Sequence, residues 1–89
     1  MAGLTWTEEK IAGAALLHHV AHAGTVEVGR VMYDGSNDFW VWSTQLAEDA
    51  WGYGKTAEGA KGGFEAWLKN WIENFRPIFE QLGGNSRGA

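Results

Sequence analysis

Three histidines within five residues, His18, His19 and His22, form the densest group of chemically versatile side chains in this sequence. His18 and His22 fall on one side whether the segment is helical, at a step of four, or extended, at an even step. Together they would supply two imidazoles to a metal, and a zinc centre needs at least a third protein ligand. That ligand would have to be Glu27 or another carboxylate delivered by the fold, and no zinc-spacing motif is present. The absence of cysteine excludes a zinc–thiolate centre, a disulfide and a thiol nucleophile. No metal or other cofactor is expected, and His18 and His22 read as a polar, partly exposed edge.

Other routes to catalysis are no better supplied. Ser36 and Ser43 lie in no nucleophile elbow, and Glu48 and Asp49 have no partner at a spacing that forces proximity. Gly54-Lys55-Thr56 has the ending of a phosphate-binding loop, but position 49, where such a loop needs glycine, is aspartate and would repel phosphate. The chain is not expected to be an enzyme. Seven basic against eleven acidic residues give a formal charge of −4, which disfavours attraction to a phosphate backbone. Trp40 and Trp42 could stack on bases, yet their neighbours are Asp34, Asp38, Glu48 and Asp49, so direct nucleic-acid binding is not expected.

The elements that must position these residues follow from periodicity. Ala60, Phe64, Trp67, Leu68, Trp71, Ile72, Phe75, Ile78, Phe79 and Leu82 recur at steps of three and four, which predicts a long amphipathic C-terminal helix from Ala57. Thr56 suits its N-cap, Glu58 its first turn, and Gly83-Gly84 its stop. Lys61, Glu65, Lys69 and Glu73 predict a solvated opposite face. Pro77 lacks the N–H that would bond to Glu73, so a kink or a short break is expected there. A continuous helix from Ala57 to Leu82 would run about 39 Å, more than a domain with a radius of gyration near 12 Å can cover. Either the end folds back, or Ile78, Phe79 and Leu82 meet a partner, a second copy included.

Upstream, "TVEVGRVMYDG" and "DFWVWSTQL" read as two strands rich in β-branched and aromatic residues, joined through turn chemistry at "YDGSND". The stretch from Trp51 to Lys55 suits a short third strand. The N-terminal segment is open between a helix, which Thr5 and Glu8 would start as a capping box, and a strand over "LLHHVAHA". The fold expected is α+β: an antiparallel sheet of about three strands packed against the long helix, with a helical or mixed N-terminal segment. Residues 1–84 form a single domain and 85–89 a loose tail. Trp40 and Trp42 point the same way along their strand, so both lie under the helix or both on the far side. The apolar helix face needs a large sheet face to lie against, which favours the first.

The stretch from Gly29 to Trp71 resembles a family of small uncharacterised proteins of proteobacterial and phage genomes. Its pattern is a Gly-Arg-aliphatic strand, a Trp-x-Trp strand and a helix opening with Thr or Ser, then Glu, then Ala-Lys. Arg30, Trp40, Trp42, Thr56, Glu58, Ala60, Lys61, Phe64 and Trp67 match, over about half of the chain, while Gly59 and the N-terminal segment depart from it. The resemblance implies a sheet followed by a helix and no reaction.

What remains is binding to a protein. Glu48 and Asp49 stand beside Trp51 and Tyr53, a combination suited to a basic, partly apolar partner surface. With the small size and the phage context of the resemblance, the function expected is a noncatalytic binding module. The sharpest form of that expectation is an inhibitor of a host defence complex, of the anti-CRISPR type. The apolar stretch Ile11–Leu17 is too short to cross a membrane, and Glu8 and Glu9 occupy the place of a signal peptide's basic region. A cytoplasmic location in a bacterial host cell is expected.

Overall fold

The computed structural model describes the backbone from Leu4 to Gly88 and the side chains from Leu4 to Leu82, and the tail expected at 85–89 lies outside the described side chains. Alternation decides the first element. Leu4 and Trp6 are half-buried while Thr5 and Thr7 are exposed, and this period of two makes Leu4–Glu9 a strand, β1, in which the Thr5–Glu8 capping box is not used. Gly13 takes a φ of 85° in the following loop, a left-handed backbone that stops a helix from continuing into the histidines. His18–Ala23 is therefore a strand, β2, with its burial concentrated at Val20 and Ala21.

Val26–Asp34 forms β3, Phe39–Ser43 forms β4 and Trp51–Gly54 forms β5. The five strands pair antiparallel in sequence order. The sheet therefore has five strands where about three are expected, and the N-terminal segment adds two strands instead of a helix. The reason is tertiary: Trp6 reaches the core only from an edge strand, with its ring edge-on to Phe64 at 5.9 Å. Between β3 and β4 the turn residue with left-handed backbone is Asp38, φ 57°, not Gly35. Its N–H and that of Asn37 donate to the Asp34 carbonyl.

The helix α1 runs Ala57–Gly88 without a break at Pro77 and past the glycine pair at 83 and 84. Thr56 caps it as expected, its Oγ1 accepting from the Gly59 N–H at 2.9 Å. The first half lies across β3, β4 and β5. Ala60, Phe64 and Leu68 are buried there with Ala21, Val28, Val31 and Trp42. Trp42 is 7% exposed and Trp40, on the same face, packs against His19 and Tyr33. Both tryptophans of the Trp-x-Trp strand therefore lie on the helix side.

Two glycines admit the large rings. A Cβ on Gly29 would stand 2.6 Å from Phe64 Cζ, and one on Gly52 would collide with the Trp42 indole. The face expected to be solvated is partly covered, because Trp6 Nε1 donates to Glu65 Oε2 at 3.1 Å and Lys61 Nζ lies 5.3 Å from the Trp6 ring. Beyond Trp71 the sheet ends and the helix goes on. The molecule extends 53 × 22 × 21 Å with a radius of gyration of 15.5 Å, against about 12 Å for a compact chain of this length. The end does not fold back.

Gly29→Ala is expected to destabilise the protein by about 1–3 kcal/mol, since the Phe64 ring has no room to yield. Combining it with Phe64→Leu should cost less than the sum of the two single changes. Urea unfolding of the three variants checks this, and strict additivity would show that the ring does not rest on Gly29.

Candidate protein-interaction surface

Strand alternation gives the sheet a second face, against which no helix packs among the described residues, although Val20 on it is only 1% exposed. Reading across the register, Thr7 pairs with Val20, Val20 with Arg30, Arg30 with Ser43 and Ser43 with Trp51. One step along, Met32 pairs with Val41 and Val41 with Tyr53. Side chains of paired residues share a face, so Met32, Phe39, Val41, Trp51 and Tyr53 all stand opposite α1. Trp51 and Tyr53 are 61% and 64% exposed. Tyr53 stacks on Phe39 with ring centroids 4.9 Å apart and planes at 22°. His18, Met32, Tyr33, Asp34, Gly35 and Val41 line an open concavity of about 380 Å3 beside them.

A β-bulge supplies the charged side of this face. Ala21 pairs with Gly29 but His22 pairs with Glu27, which leaves Val28 as the extra residue of β3. The bulge sends Val28 into the core and turns Glu27 to the side of Arg30. Thr44 Oγ1 donates to the Val28 carbonyl at 2.6 Å and Gln45 Nε2 donates to that of Glu27, holding the bulged backbone in place. Arg30 then grips the Glu27 carboxylate with two nitrogens, at 2.9 and 3.2 Å, and reaches Glu9 at 3.4 Å. Donation from Arg30 holds the Glu27 carboxyl below its ordinary range, and the guanidinium is raised in turn. The arginine is neutralised within the sheet, so it adds no net positive charge to the surface.

Three further carboxylates, Asp34, Glu48 and Asp49, stand around this face. Asp34 accepts from Asn37 Nδ2 at 2.9 Å and from the Ser36 N–H at 3.0 Å, which lowers its carboxyl below the usual range. Glu48 and Asp49 are exposed in the connection before β5. That connection is anchored, with Leu46 and Ala50 packed against the core and the Leu46 N–H donating to Thr44 Oγ1 at 3.0 Å. The structure thus brings Trp51 and Tyr53 onto one exposed strand directly after Glu48 and Asp49.

The histidines divide. His18 and His22 stand on the face away from α1, where the Nδ1 of His18 is buried without a hydrogen-bond partner, and His19 stands on the other, against Trp40. Among the described residues no three His, Asp or Glu side chains converge as metal ligands. Burial, followed by the nearby Lys61, pushes the His19 imidazole below its ordinary 6.5, and its Nδ1 is buried without a hydrogen-bond partner. Ile78, Phe79 and Leu82 are elsewhere, on the projecting half of α1 and 51%, 58% and 64% exposed.

Phe39, Met32 and Val41 belong to this face and are not among the residues that sequence alone singles out for binding. Their signal is the period of two once Trp40 and Trp42 are assigned to the helix side. The Glu27–Arg30 pair had no such signal, since residues three apart on a regular strand face opposite ways. No family model, curated protein or solved structure matches the chain in comparisons with known proteins. Among the described residues no helix is long and apolar enough to cross a membrane.

Two of the three depressed groups, His19 and Glu27, predict an acid-labile fold. His19 favours the neutral form and Glu27 the charged form, so each contributes stability above its unfolded pKa and loses it as pH falls through its folded one. The melting temperature should drop in two stages, first below about pH 6.5 and again in the carboxylate range. His19→Phe should remove the first stage and Glu27→Gln should weaken the second. A flat profile between pH 7 and 5 in the parent protein would contradict the role given to His19.

Proposed function

We propose that the protein is a noncatalytic protein-binding module that engages its partner with the uncovered face of the sheet. The observation carrying this reading is the exposure of Trp51 and Tyr53, at 61% and 64%, on a face that already holds Phe39, Met32 and Val41. Aromatic side chains fixed by a strand bring large contact area at little entropic cost, and such residues dominate binding hot spots. Glu48, Asp49 and Asp34 around them favour a partner surface with basic groups at its rim. Arg30, the arginine of this face among the described residues, is engaged by Glu27 and Glu9, which favours a protein partner over a phosphate backbone.

The narrower reading is a phage-borne inhibitor that occupies a surface of a host defence complex. It draws on the resemblance of the Gly29–Trp71 stretch and on the acidic, aromatic character of the face. Affinity capture of defence complexes with the parent protein and with Trp51→Ala and Tyr53→Ala tests both levels. Each substitution removes an exposed side chain, so the fold should persist, and each should cost about 2 kcal/mol or more of binding, roughly thirtyfold in Kd. Capture unchanged in both variants would place the binding site elsewhere. Binding to duplex or single-stranded nucleic acid that weakens steeply with salt would replace this reading.

A further inference from the structure

The concavity lined by His18, Met32, Tyr33, Asp34, Gly35 and Val41 has an apolar floor and a charged end. Met32 and Val41 pair across β3 and β4 and are half-buried, which makes the floor. Asp34 follows Met32 by two residues on the same face of β3, about 7 Å along the strand. Phe39 pairs with Asp34, and its stack with Tyr53 bounds the side towards β5. We infer that this concavity receives one arginine side chain of the partner, its guanidinium on the Asp34 carboxylate and its methylenes on Met32 and Val41. The inference rests on the reading of this sheet face as a protein-binding surface and names the chemistry that the face selects.

The bonding of Asp34 favours a guanidinium over other cations. Its Oδ2 accepts from Asn37 Nδ2 at 2.9 Å and its Oδ1 from the Ser36 N–H at 3.0 Å, so the turn fixes the carboxylate in place. Donation from Asn37, helped by the Ser36 N–H, also keeps the group ionised. A carboxylate has about four acceptor sites, two on each oxygen, and one therefore remains on each. Two parallel N–H groups of a guanidinium match that pair, whereas an ammonium meets it only as a point charge.

The surrounding charge points the same way. Among the described residues no lysine or arginine lines the concavity. Arg30, two residues before Met32 on this face, is already held by the carboxylates of Glu27 and Glu9. An incoming cation meets no competing cation, and a phosphate or carboxylate would meet Asp34. The volume of about 380 Å3 stands at the small end of the roughly 300–1,000 Å3 of small-molecule pockets, and the site is open. Such a site suits a side chain carried in by a macromolecule better than a free ligand that needs enclosure.

Amide NMR titration of the full chain with three capped tripeptides tests this, with arginine, citrulline or lysine set between two glycines. The arginine peptide should move the resonances of Met32, Asp34, Gly35 and Val41 saturably. Citrulline keeps the shape of arginine without the charge, so its peptide should bind at least about tenfold more weakly, and the lysine peptide at least about threefold. Asp34→Asn should weaken the arginine peptide at least about tenfold. The citrulline comparison alters no residue of the protein and holds even where Asp34→Asn loosens the turn. Absence of saturable shifts at those four residues, equal affinity for arginine and citrulline, or equal affinity for arginine and lysine would overturn the inference. The peptides stand in for no particular partner. Such a result would remove the arginine site and leave capture with Trp51→Ala and Tyr53→Ala to judge the face itself.

Discussion

The Phe64 ring resting on the bare backbone of Gly29 is the contact on which the rest of the fold depends. Because position 29 has no Cβ, the helix can approach β3 closely enough for Phe64 to be fully buried. Trp42 uses the same device on β5 and the helix, fitting over Gly52 with Gly63 above it. Trp6 closes the third side, edge-on to the ring and bonded to Glu65. In a chain of this size a few aromatic side chains must supply most of the buried apolar surface, and here they do so by interlocking over glycines.

That arrangement dictates what is left over. Placing Trp40 and Trp42 on the helix side commits Phe39, Val41, Trp51 and Tyr53 to the other side, because side chains alternate along a strand. The bulge at Val28 then fixes where the charge goes, since it moves one valine into the core and turns Glu27 towards Arg30. Burial on one face and an exposed aromatic surface on the other are two consequences of one register.

The C-terminal helix and the turn between β3 and β4 are legible from the sequence because each has a strong local signal, a period of 3.6 in one case and Asp-Gly-Ser-Asn-Asp in the other. Thr56 as the cap is legible for the same reason. The N-terminal strands are not, because "TWTEEK" holds both an alternation and a capping box, and only the distant contact of Trp6 with Phe64 decides between them. The helix runs on past Pro77, although the missing proline N–H is a local signal for a break. For the binding surface, Glu48, Asp49, Trp51 and Tyr53 could be named in advance, whereas Met32, Phe39 and Val41 needed the register of the sheet.

The central claim is that the helix covers one face of the sheet and that the other exposes Trp51 and Tyr53, and the reactivity of the six tryptophans reports on it directly. Hydroxyl-radical footprinting read by mass spectrometry should modify Trp51 fastest and Trp42 slowest, with Trp6, Trp40, Trp67 and Trp71 between them. Fast modification of Trp40 and Trp42 together with protection of Trp51 would mean that the strand presents its other side to the helix, and the account would be wrong.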